Sequence, residues 1–139
     1  MGRALVEARI ENIGDLVAVE EGRLTPEAVR AVEIRDALVD TGATGLSMPR
    51  TLLETLRLEY LRTRNAVSSG GPVAVRVFGT VRLTIQGRDC PVDVTELPDD
   101  CPVPIGPIPL HAMDFVVDVT SHRLVGNPLH GGEHIIELW

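Results

Sequence analysis

Apolar and polar positions along this chain change over every one or two residues far more often than every three or four, which is the rhythm of strands. Leu5 to Ile10 alternates loosely and predicts a short first strand, and Leu16-Val17-Ala18-Val19, within Asp15 to Glu20, predicts a second. Val29 to Ile34 and Ala37 to Val39 continue the pattern. A helical face stands out at Pro49, a residue tolerated at the first helical position, followed by Leu52, Leu53 and Leu56 on one side; this helix should end near Arg57. Leu58 to Val67 and Val73 to Val77 then read as paired strands around the glycine-rich tip Ser68-Ser69-Gly70-Gly71. Gly79 predicts a bulge before Val81, Leu83 and Ile85, which alternate with Arg82, Thr84 and Gln86 as a half-buried strand. Gln86-Gly87-Arg88 is a hairpin turn into Cys90, Val92 and Val94, and the prolines between Pro98 and Pro109 exclude regular structure except in short pieces. The expected fold class is all-β with one or two short helices.

Length and charge narrow the possibilities. At 139 residues the chain suits one core, so a single domain spanning 1–139 is expected. The formal charge of −7 argues against nucleic acid as a direct partner, because phosphates call for a basic patch. All 13 basic residues are arginine, which reads as compositional bias. The first ten residues lack the basic-then-apolar layout of a signal peptide, and the apolar runs are broken by Pro, Gly or charge well short of a membrane span. A soluble cytoplasmic protein without membrane contact is expected. Cys90 and Cys101 have no metal-ligand spacing and read as free thiols.

The candidate chemistry sits in Ala37-Leu38-Val39-Asp40-Thr41-Gly42-Ala43-Thr44, an apolar strand that delivers one aspartate into a Thr-Gly turn. Two carboxylates side by side cannot both ionise, so a pair sharing one proton acts as base toward water and acid toward a leaving amine. Gly42 permits a sharp turn and close approach, and the Thr41 hydroxyl can donate and accept at once across a two-fold axis. Asp-Thr-Gly occurs once, so a pair requires two chains.

The context resembles the retropepsin-like aspartic peptidases over roughly Val32 to Pro128. The first anchor is Leu38-Val39-Asp40-Thr41-Gly42-Ala43-Thr44 followed by Leu46-Ser47-Met48-Pro49; the second is Pro104-Ile105-Gly106, with a helix-like Leu110 to Phe115 after it. Pro104 stands where the family usually carries Ile, Leu or Val, and Glu20 to Glu27 reads as a longer loop than the shortest retroviral members have. The resemblance implies an acid protease barrel of one lobe per chain, an aspartic endopeptidase acting as a homodimer on peptide or protein substrates, and no metal or organic cofactor. It assigns catalysis to Asp40, makes Thr41, Gly42 and Ala43 the active-site turn and dimer contact, and makes Ser69, Gly70 and Gly71 the tip of a substrate-covering flap. A catalytically idle dimer that binds peptides remains the alternative. Apolar strand, Gly turn and short helix occur twice, at Leu38 to Leu56 and at Val103 to Phe115, an echo that an internal two-fold would explain.

Several other residues carry weaker readings. His130-Gly131-Gly132-Glu133-His134 matches a zinc-peptidase spacing, but Pro128 and two adjacent glycines oppose the helix it needs, so it reads as a turn into a last strand, His134 to Trp139. By the same resemblance, that segment would pair with its twin in the dimer. Asp114 reads as a capping or ion-paired carboxylate, Tyr60 as packing, and His111 and His122 as surface residues.

Overall fold

The computed structural model describes residues 3–138. Strand β1 (Arg3–Asn12) buries Ala4, Val6, Ala8 and Ile10 and turns the intervening residues outward, so the loose alternation of its sequence is regular in space. Residues 13–20 do not form the expected second strand; they form helix α1 (Ile13–Glu20). Asn12 caps it, its side-chain oxygen accepting from the Asp15 amide at 3.1 Å, and Asn12, Asp15 and Ala18 bury one face at a spacing of three. Asp15 in turn accepts from the Arg30 guanidinium at 2.6 and 2.8 Å.

A long loop and a 3-10 turn (Pro26–Ala28) lead into β2 (Ala31–Asp40), in which the two expected short strands run together. After β3 (Leu46–Pro49) comes α2 (Arg50–Leu56), which buries Leu53 and Leu56 and ends at Arg57 in the left-handed conformation. Strands β4 (Glu59–Ser68) and β5 (Gly71–Ile85) form the long hairpin, and β6 (Arg88–Leu97) follows the Gln86-Gly87 turn. The register of β5 against β6 breaks between Phe78 and Val81, where Gly79 predicts a bulge. Strand β7 (Pro104–Ile105), helix α3 (Pro107–Ala112), a small hairpin of β8 (Phe115–Asp118) and β9 (Arg123–Gly126), and a second 3-10 turn (Pro128–His130) complete the regular structure of the described residues.

The seven-stranded sheet runs β1-β2-β7-β3-β6-β5-β4, and β1 also pairs with β5 through Arg9↔Thr84 to Asn12↔Val81. Six strands therefore close into a barrel around Ile10, Val39, Leu46, Met48, Leu83 and Ile105, each almost fully buried, while β4 hangs outside on β5. The fold is mostly β with short helices, as the sequence implies, with three short α-helices among the described residues where one or two are expected. His134 to Leu138 has no regular secondary structure in the single chain, so the expected last strand is absent there; Trp139 lies outside the described residues.

Candidate active site

Asp40 closes β2. Val39 just before it is fully buried, whereas Thr41 and Gly42 are exposed and Ala43 is half-buried, so an apolar strand lifts one carboxylate to the edge of the barrel. Asp40 Oδ1 accepts from the Gly42 amide at 2.9 Å, and its carbonyl accepts from the Ala43 amide at 3.1 Å, which fixes the turn on the aspartate itself.

The turn is backed by β7 and α3. β2 and β7 lie parallel with Leu38↔Pro104 and Val39↔Ile105, so the two halves of the sequence echo are neighbours and each is followed by a helix. Ile105 also pairs with Leu46, which binds the strand before the turn to the strand after it. The Gly106 amide donates to the Gly45 carbonyl at 3.0 Å and the Ile108 amide to the Thr44 carbonyl at 3.2 Å. A Cβ on Gly106 would stand 2.5 Å from the Thr44 carbonyl group, so only glycine fits. Pro104, the departure from the family pattern, is half-buried and keeps its place in the pairing with Leu38.

A family model described as aspartyl protease matches residues 28–108, a stretch that takes in Asp40, the long hairpin and Gly106. The chain belongs to the retropepsin-like aspartyl proteases. No curated protein matches it at a significant level.

In this aspartyl protease the tip of the β4–β5 hairpin holds Ser69, Gly70 and Gly71, away from the Asp40 turn in sequence and on a separate element. The Ser68 hydroxyl donates to the Gly71 carbonyl at 3.1 Å and accepts from the Gly70 amide at 3.2 Å, and Gly71 has φ of 106°, a value that favours glycine. β4 is exposed along nearly its whole length, and Val67 beside the tip is 85% exposed. Tyr60 packs edge-on against Phe78 with ring centres 5.9 Å apart, at the root of the hairpin. Two adjoining cavities of about 470 and 540 Å³ also lie at that root, both lined by Arg50, Arg76 and Glu96; Asp40 lines neither.

Of the remaining candidates, His111 and His122 are exposed and Cys90 is buried. Burial, with a smaller contribution from Asp89, pushes the Cys90 thiol up to about 11. The segment His130 to His134 is not helical: it leaves a 3-10 turn (Pro128–His130) through Gly131 and Gly132, both at positive φ. His130 instead bridges two carboxylates, with Nδ1 2.7 Å from Asp114 and Nε2 2.5 Å from Glu137. Asp114 also accepts from the Asn127 side chain at 3.2 Å and the Ile135 amide at 3.1 Å. Its ion pair with His130 agrees with the sequence reading of Asp114. The partners His130 and Glu137, and the double role of Glu96, have no local signature, because their contacts join residues 7 to 46 positions apart; the one available signal was a lone Asp between the apolar Met113 and Phe115.

Proposed function

We propose that the protein is an aspartic endopeptidase whose active site forms from two copies of the chain, each supplying Asp40. The observation that carries this reading is a single Asp-Thr-Gly turn per chain, presented at an open barrel edge with Thr41 and Gly42 exposed. One lobe with one carboxylate is half of an acid–base pair, and the exposed turn is where a second copy would complete it.

In the proposed mechanism one Asp40 is ionised and takes a proton from water as that water attacks the scissile carbonyl. The other is protonated and polarises the carbonyl oxygen, then passes its proton on as the amine leaves. The proton belongs to the pair, and neither chain owns it. Thr41 would join the two turns beneath the carboxylates, with Gly42 and Ala43 giving close backbone approach. Ser69, Gly70 and Gly71 would close over an extended peptide, shedding water and offering backbone hydrogen bonds. Among the described residues no helix is long and apolar enough to cross a membrane, and the unpaired thiols Cys90 and Cys101 suit a reducing compartment such as the cytoplasm.

Asp40→Asn is the direct test. Asparagine keeps the oxygen that accepts from Gly42, so the turn should survive while the shared proton is lost. Against a peptide library between about pH 4 and pH 7, cleavage should fall by about 10³-fold in the variant. A folded wild-type dimer that cleaves nothing would instead favour a peptide-binding module.

A further inference from the structure

The β4–β5 hairpin has few attachments to the barrel. From Gly71 to Arg76 strand β5 pairs with β4 alone; pairing with β6 starts only at Val77↔Thr95 and Phe78↔Val94, and then the register breaks. At that root two acidic side chains of β6 grip both strands of the hairpin. Glu96 receives Arg76 of β5 through two bonds, at 2.9 and 2.8 Å, and Arg50 at the start of α2 at 2.9 Å. Asp93 receives the Thr80 hydroxyl of β5 at 2.7 Å and Arg62 of β4 at 3.4 Å.

The geometry around these contacts is that of a joint. A Cβ on Gly79 would lie 2.6 Å from Asp93 Oδ1 and 2.7 Å from Leu61 Cδ1, so the root of the hairpin is closely packed between a side chain of β6 and one of β4. The Glu96 side chain is only 12% exposed, although its arginine partners are 49% and 61% exposed. A shielded carboxylate held by a two-pronged guanidinium is a stronger tie than an open surface pair. Both cavities are lined by Arg50, Arg76 and Glu96, so the tie borders open space rather than packed core.

We propose that Glu96, assisted by Asp93, is a positioning residue: an ionic hinge that sets the angle of the β4–β5 hairpin against the barrel. Arg76 carries the hairpin's side of the tie, and Arg50 anchors Glu96 to the body of the molecule. The consequence for turnover rests on the peptidase reading above, because only there does the hairpin cover a substrate. The hinge itself does not depend on it.

Amide hydrogen exchange measured without substrate tests the hinge whether or not the protein cleaves peptides. In Glu96→Gln, exchange of the hairpin amides between residues 62 and 77 should rise by about tenfold, the worth of one charge-assisted bond. Barrel amides at Ile10 and Leu83 should keep their protection. Glu96→Asp keeps the charge and should fall between wild type and Glu96→Gln. Arg76→Gln removes the hairpin's side of the tie at an exposed position and leaves Glu96 paired with Arg50, so it gives the same reading if Glu96→Gln folds poorly. If the protein cleaves peptides, KM should rise in Glu96→Gln with kcat within about twofold, since the hinge orders the cover and not the reacting carboxylates. Hairpin exchange equal to wild type in both Glu96→Gln and Arg76→Gln would overturn the proposal.

Discussion

One missing methyl group decides how the turn after Asp40 is supported. Gly106 lies so close to Thr44 that a Cβ would meet the carbonyl carbon and oxygen at 2.5 Å, and both neighbours are backbone, which cannot swing aside. Gly106→Ala should therefore cost roughly 1–3 kcal/mol in overpacking. Urea unfolding should show a lowered midpoint with an unchanged slope, and an unchanged midpoint would contradict this packing. At this scale the sequence was most legible where chemistry is local. Asp40 could be singled out because its Gly42 partner is two positions away. Glu96 could not, because its partners come from two other elements, 20 and 46 positions distant.

Among elements, α1 and the C-terminal segment departed from the pattern for one shared reason: polar side chains outweighed apolar rhythm. Leu16 to Val19 has a strand's composition, yet Asn12 caps a helix there, also donating to the Leu56 carbonyl at 2.8 Å, and Asp15 is tied to Arg30. His134 to Leu138 is likewise held by a clasp of Asp114, His130 and Glu137. Hydrogen bonds to Glu137 and then to Asp114 raise His130 above its usual 6.5, against a smaller opposing effect of burial. The bond from His130, more than those from Ile135 and Asn127, lowers Asp114 from 3.8 to about 2. A raised histidine contributes fully below about pH 6.5 and loses that contribution as pH rises through its folded value; a lowered aspartate contributes above 3.8 and loses it as pH falls through about 2. The clasp is thus firmest from about pH 4 to 6.5. The thermal stability gap between wild type and His130→Gln should be widest in that window and narrow toward pH 9. A gap that stays constant with pH would show that the ring acts by packing alone. Elements whose signal was periodic or glycine-marked, namely α2, the long hairpin and the Gln86-Gly87 turn, match their sequence expectations.

At the scale of the molecule, barrel closure was beyond the reach of the strand pattern, since β1 must find β5 more than 60 residues later, and only the family resemblance supplied it. Charge adds a constraint on the proposed dimer, because each copy brings −7. Like-charged copies repel, and salt screens that repulsion over a Debye length of about 10 Å at 0.1 M. Sedimentation should therefore show association tightening between about 0.05 and 0.5 M salt, and a dimer that loosens instead would point to an interface held by ion pairs. The parallel pairing of β2 with β7 has a bearing on how such a catalyst could arise or be redesigned. The second half of the chain repeats the strand, turn and helix of the first, and Gly106 follows Ile105 just as Asp40 follows Val39. That site has no room for even one added carbon, so the repeat cannot gain a carboxylate of its own by substitution. A self-sufficient, single-chain version would have to come from joining two whole copies end to end, by gene fusion in nature or by a linker in the laboratory.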